Sequence, residues 1–387
     1  MKKSTKILSV FLAVLMAASA LCLPAFAEDT PDDPYAVLKE GTGYVAIGDS
    51  FTRGYGSGEN WQDQIYLNDS YGNYNCRNVN GSYPNLLAEM FGLNTPDDIR
   101  DTSATMWSLA HDAVSTAYIL DLLGIDDGYR DEEFLYAKSY MMERYETDLK
   151  YFGDPLSYSL DGQSTYGETG EIMSVRDMLK NASLITIELG QSDIIYKAQI
   201  FGLNALDMSD ISSLPSGVAN IIDMLFRYYK YWKGAYPLLL DYIKEVNPDA
   251  KVVLVGTMNP IENATLSDDI SIKIGSVINI IFDMMNSFNK QCALKYGYMY
   301  VDISDVETPS VVTKTSISHI LSIPDEIEFA LQAHPTTNGY RQIAQKIADA
   351  VNADLKLDTV KAEFNIKTFF EVIIDLIKQF FVNFLAL

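Results

Sequence analysis

Three short runs in this chain are apolar almost without interruption: YVAI at residues 44–47, LITIEL at 184–189 and KVVLVG at 251–256. A strand with one wet face alternates apolar and polar residues, whereas a strand covered on both faces reads as a continuous β-branched and apolar run. A fourth strand is expected at residues 298–301. Between the strands the period changes to that of helices. Leu86, Leu87 and Met90 run up to Gly92; the stretch 221–244 holds Tyr228, Tyr229, Tyr231 and Trp232, an aromatic cluster expected in the core; Val277, Ile278, Ile281 and Phe288 are closed by Gly297; and Tyr340, Ile343, Ala344, Ile347, Ala348 and Val351 share one face. Strands alternating with helices argue for the α/β class, a three-layer αβα sandwich around a mostly parallel sheet.

The first strand runs directly into Gly48, Asp49 and Ser50. A serine hydroxyl is thereby delivered at the carboxyl end of a buried strand, where open α/β sheets place their chemistry. A hydroxyl becomes a nucleophile only with a neighbouring base and with donors for the oxyanion that forms. The chain has three histidines, His111, His319 and His334. His334 is followed by Pro335, by two threonines able to cap and by a helical period, so the fold holds its imidazole at a defined place, which suits a general base. His319 is the reserve base, and His111 is expected to pack in a helix carrying Leu109, Ala113, Tyr118 and Leu122. The strand at 184–189 ends in Gly190, Gln191, Ser192 and Asp193, with Asp193 placed to cap the helix that follows.

Taken in order, the block Gly48-Asp49-Ser50, the run DTSATMWSLAHD, the block GQSD and the late LQAHPTTNGY resemble the SGNH (GDSL-type) esterase and lipase family, over roughly residues 43–352. The resemblance implies an SGNH-hydrolase-like, flavodoxin-like fold and acyl transfer through Ser50 with His334 as base. It also implies an oxyanion hole from Ser50, Ala104 and Ser192, with Gly48, Asp49, Gly190, Gln191 and Asp193 in support, and neither cofactor nor metal. Three positions depart from the family pattern. Ala104 stands at a glycine position, where a backbone donor survives if φ is negative. Ser192 replaces an asparagine, and its hydroxyl is shorter than an amide; Gln191 or a water is the alternative donor. Leu331 stands where the histidine-orienting aspartate belongs, leaving Asp325, Glu326, Glu328 or a backbone carbonyl for that task. Two readings follow: an esterase acting on acetylated carbohydrate or lipid esters, or a family fold with a weakened site that binds carbohydrate or a cell-surface partner.

Residues 1–27 read as a signal peptide, with Lys2, Lys3 and Lys6 ahead of an apolar run and Ala25-Phe26-Ala27 as the cleavage pattern, so the expected location is secreted or extracellular. Residues 28–42 are an acidic lead-in and 43–358 the hydrolase domain. An acidic, tyrosine-rich insertion at about 124–182 is expected to border the substrate cleft. Residues 359–387 form an amphipathic helix whose wide apolar arc fits docking, self-association or a membrane surface. A net charge of −23 repels nucleic acid and other polyanions. No P-loop, dinucleotide fingerprint or HExxH sequence is present, and the Asp- and Asn-bearing loop after Thr52 lacks EF-hand spacing. Cys76 and Cys292, far apart and without metal-ligand spacing, read as structural thiols.

Overall fold

The computed structural model describes residues 43–57, 79–93, 106–110, 114–128, 163–165, 172–196, 214–259, 275–308 and 334–357, together with Glu262 and Lys378. Its centre is a five-stranded sheet, every pair parallel, in the order β2-β1-β5-β6-β7. The strands are β1 (Gly43–Gly48), β2 (Met106–Ser108), β5 (Ala182–Glu188), β6 (Lys251–Val255) and β7 (Met299–Val301). β3 (Gln163–Thr165) and β4 (Ile172–Ser174) form a separate antiparallel pair.

The helices are α1 (Ser50–Arg53), α2 (Tyr83–Met90), α3 (Thr116–Leu122), α4 (Val175–Asn181), α5 (Leu214–Val246), α6 (Gly275–Tyr296) and α7 (Thr337–Asn352). The period of two along the strands sorts them into two layers. Val45, Ile47, Ile185, Ile187, Val252 and Leu254 face one side and pack against Met178 of α4, Trp232, Tyr236 and Leu240 of α5, and Met285 of α6. Tyr44, Ala46, Leu184, Val253, Val255 and Met299 face the other and pack against Leu87 of α2 and Ile343, Ala344 and Ile347 of α7. This is the expected αβα sandwich. The aromatic cluster of α5 is buried as expected.

Two local expectations change. The helix expected to begin near Leu109 begins at Thr116, and Met106–Ser108, just before Leu109, form β2, paired in register with β1. A three-residue strand is too short to show a period, so the pattern there was dominated by the helix beyond it. The last part of the tyrosine-rich segment also belongs to the core, since Met178 and Leu179 of α4 are buried beneath the sheet. Cys292 is a free, buried thiol, and burial pushes its pKa up to about 12; Cys76 lies outside the described residues. No helix among the described residues is long and apolar enough to cross a membrane, and the segment 359–387 lies outside them apart from Lys378.

The chain leaves β1 toward β2 on one side and returns as β5 on the other, so the strand order reverses at β1. Gly48 is paired with Glu188 at the carboxyl ends of these strands, and the crevice beyond them is where such sheets bind ligands.

Candidate active site

The Ser50 side is built from a glycine that cannot be replaced without movement. A Cβ on Gly48 would stand 1.8 Å from Thr52 Oγ1 and 2.7 Å from the Glu188 carbonyl oxygen. Asp49 then caps α1, its Oδ1 accepting from the Phe51 N–H at 3.0 Å. Ser50 is the first helical residue, and Gly54, at φ +89°, closes the turn by donating its N–H to Ser50 and Phe51 carbonyls.

The histidine side is built from a cap and an acid. Thr336 Oγ1 accepts from the Gly339 N–H at 3.1 Å and so starts α7 two residues after His334. Glu307, in the loop after β7, grips the same segment. Its carboxylate accepts from Thr336 Oγ1 at 2.6 Å and Asn338 Nδ2 at 3.2 Å, and its carbonyl accepts from the Thr336 N–H at 3.1 Å. Its own N–H donates to Gln342 Oε1 at 2.9 Å. The two donors on its carboxylate hold Glu307 below the usual carboxyl range. Tyr340 of α7 donates its hydroxyl to the Tyr55 carbonyl at 2.8 Å, tying the helix to the segment after Ser50.

These two constructions bring His334 Nε2 to 2.7 Å from Ser50 Oγ across 284 residues of sequence. The imidazole is buried, its ring centre 4.7 Å from that of Phe51 and 5.0 Å from that of Tyr55.

The block after β5 forms the third wall. Gly190 has φ +122°, and a Cβ there would meet Met285 Cε at 2.7 Å and Trp232 Nε1 at 2.9 Å, so both the turn and the close packing need glycine. Gln191 turns its amide to the Met258 carbonyl, Nε2 donating at 2.7 Å. Ser192 gives both its donors to Asp49 Oδ2, the hydroxyl at 2.5 Å and the N–H at 3.2 Å. Asp193 lies inside the π-helical turn Ser192–Tyr196, not ahead of it. It accepts from the Thr116 N–H at 3.1 and 3.0 Å and from Thr116 Oγ1 at 3.0 Å, and so caps α3 from across the fold. A carboxylate can satisfy any helix start within reach, and sequence proximity alone pointed to the wrong one.

Beneath Ser50 lies a pair of acids. Asp49 and Glu188 are both 0% exposed, at the paired carboxyl ends of β1 and β5, where each carboxyl acts on the other's proton affinity. Thr52 Oγ1 donates to Glu188 Oε2 at 3.3 Å and lies 3.0 Å from the Tyr83 hydroxyl. Burial lifts Asp49 to about 6 against the opposing pull of the Ser192 and Phe51 donors. Burial, together with the Asp49 charge, lifts Glu188 well above the ordinary glutamate range. Glu188 and Glu307 are the parts of the site that sequence reading missed. The signal for Glu188 was a lone acid inside a strand buried on both faces; Glu307 carried none, because it lies in a loop distant in sequence from His334. Ala104, His111, His319, Asp325, Glu326, Glu328 and Leu331 lie outside the described residues. Among the described residues, no group of three or more His, Cys, Asp or Glu side chains is arranged to hold a metal ion.

The family model for GDSL-like lipase/acylhydrolase matches residues 44–347, which take in Ser50, the GQSD block and His334. The chain belongs to the GDSL-like lipase/acylhydrolase family. As a member of it, the protein is a carboxylic ester hydrolase. Among solved structures, this GDSL-like hydrolase is similar to the extracellular lipase from Streptomyces rimosus, at 17% identity over 81% of this chain and 100% of that one, with a TM-score of 0.45. It is similar to phospholipase A1 from Streptomyces albidoflavus NA297, at 17% identity over 81% and 99%, with a TM-score of 0.46. A family two carbohydrate esterase from Clostridium thermocellum, in complex with cellohexaose, matches at 13% identity over 81% of this chain and 64% of that one, with a TM-score of 0.35. No curated protein sequence matches the chain.

Proposed function

We propose that the protein is a secreted serine esterase that works through an acyl-enzyme on Ser50, with His334 as general base. The observation that carries this reading is the 2.7 Å separation of Ser50 Oγ and His334 Nε2. With the imidazole proton on Nδ1, Nε2 accepts from the hydroxyl. As Ser50 Oγ bonds to the ester carbonyl carbon, its proton passes to Nε2, and the carbonyl becomes an oxyanion. Collapse of that oxyanion breaks the bond to the alcohol, which leaves with the proton from Nε2. Water then attacks the acyl-enzyme, gives its proton to His334 and releases the acid, restoring Ser50.

The oxyanion donors are the Ser50 N–H, which at a helix start has no partner within its own helix, and the Ala104 N–H. Ser192 joins them only by giving up a hydrogen bond to Asp49, so the hole is the weak part of the site.

The proposed substrates are acetylated carbohydrate or lipid esters. The leader-like N-terminus and the tyrosine-rich segment between the second and third blocks support this, because tyrosine faces suit stacking on sugar rings. A panel of p-nitrophenyl esters of increasing acyl length, alongside acetylated xylan, tests it. Release of acetate from xylan, with turnover falling as the acyl chain lengthens, is the expected result; preference for long acyl chains with no release from xylan overturns the carbohydrate assignment.

A further inference from the structure

The two acids beneath the nucleophile pose a problem of atoms. Asp49 Oδ2 is occupied by both donors of Ser192, and Oδ1 by the Phe51 N–H. Glu188 Oε2 is served by Thr52, while its Oε1, fully buried, has no partner among oxygens and nitrogens that donate. Its neighbour is the carboxyl of Asp49, which as an anion offers only acceptors. Two ionised carboxylates side by side, both removed from water, repel each other in a medium that screens them poorly. One proton between them removes the repulsion and satisfies the orphaned oxygen together.

We propose that Glu188 is a positioning residue for Ser50: held un-ionised, it donates its proton as a hydrogen bond to Asp49, and so keeps Asp49 a carboxylate that fixes the head of α1 and the Ser192 turn at one place. The inference rests on the reading of Ser50 as nucleophile, since it explains how that serine is mounted. Asp49 is the junction. It caps the nucleophile's helix and holds the turn after β5 with one side chain, and a neutral Asp49 would have one donor too many and one acceptor too few for that task. The groups that act on Glu188 come from every side: Asp49 after β1, Thr52 on α1, Tyr83 on α2, and Tyr236 of α5 across the sheet. The direction of the shift on Glu188 agrees with a retained proton.

The test compares Glu188→Gln with Glu188→Leu in the full chain. Glutamine reproduces a neutral acid's donor toward Asp49 and its acceptor toward Thr52; leucine reproduces neither. E188Q is expected to keep kcat within about threefold, and E188L to lose about tenfold or more in kcat with KM little changed, as one buried carboxylate loses a donor. Infrared difference spectra of the wild type against E188Q at pH 7 are expected to show the C=O stretch of a protonated carboxyl only in the wild type. The same spectra of Ser50→Ala, with and without E188Q, read this without any turnover, so a failure of the esterase reading and a failure of this inference remain distinct. Absence of the band, or an E188Q as impaired as a folded E188L, overturns the proposal. If E188L does not fold, the band and E188Q alone decide.

Discussion

The two halves of the site are mounted in opposite ways. Ser50 stands on buried ground, at the end of a strand with no exposed residue, on a helix capped by an acid that is itself paired with a second buried acid. His334, itself buried, stands just ahead of α7, in a segment gripped by a half-buried carboxylate, Glu307, which gathers Thr336 and Asn338 through their side chains. Burial and sterics fix Ser50; a local hydrogen-bond clamp fixes the segment that follows His334. The same residue type serves both mounts, with its charge state set in opposite directions by water's absence in one case and by donors in the other. The nucleophile's mount is therefore expected to fail by strain and the base's by loosening.

The largest effect belongs to Ser50, the proposed nucleophile, and tells whether the two mounts serve one reaction. Ser50→Ala is expected to lower kcat by about 10⁶, in a protein that melts as the wild type does. A residual rate within a hundredfold of wild type would separate the mounts from the chemistry.

Next comes the strain in the buried mount. Gly48→Ala places a methyl group against Thr52 and the β5 backbone, and is expected to cost about 3 kcal/mol in urea unfolding. An unchanged unfolding midpoint would show that Thr52 and the β5 backbone give way at little cost.

The hydrogen-bonded mount predicts a smaller loss of another kind. Glu307→Ala is expected to lower kcat about tenfold while leaving the unfolding midpoint close to wild type, because the clamp is a local, solvated contact. Glu307→Gln, which keeps an acceptor for Thr336, should recover most of the rate. Loss of stability in place of rate would make Glu307 a structural residue only.

Acid sharpens the contrast, since the two mounts respond to pH with opposite sign. Asp49 and Glu188 bind protons more tightly folded than unfolded, so their contribution to stability is full below the ordinary carboxyl range and is lost as pH rises through the folded values, about 6 for Asp49. Glu307 binds its proton less tightly when folded, so its contribution is present above about 4.5 and is lost as pH falls below that. Unfolding free energies from pH 4 to 8 are expected to show the wild type losing stability relative to E188Q as pH rises, and E307Q differing from wild type least at the acid end. Parallel curves for all three would remove the distinction.

The smallest effect concerns the third wall. Ser192→Asn is expected to raise esterase turnover a few-fold, since an amide reaches further than a hydroxyl that is spent on Asp49, and a full oxyanion donor is worth about 10²–10³. No gain in a folded variant would mean that the hole takes its donors elsewhere.

The sheet was legible because a strand covered on both faces leaves a run such as LITIEL, and a run of that kind has few other uses. Ser50 and His334 were legible because one ends such a strand and the other precedes a capped helix. Their mounts were less so. Asp193 looked like a cap for the turn beside it and caps α3 instead, because a carboxylate's partner is chosen in space. Glu188 went unread inside a run taken as apolar, and only its neighbour Asp49 explains it. Glu307 contacts the histidine's segment through a fold-back of the chain that no spacing encodes. β2 escaped notice because three residues carry no period.

The central claim is that Ser50 is made nucleophilic by His334. Labelling with a fluorophosphonate probe, followed by mass measurement of the peptide that carries Ser50, tests it most directly. The account predicts a phosphonylated Ser50 in the wild type, no adduct in Ser50→Ala, and labelling slowed by about 10³ or more in His334→Ala. An unlabelled wild type, or a His334→Ala variant that labels as fast as the wild type, would contradict it.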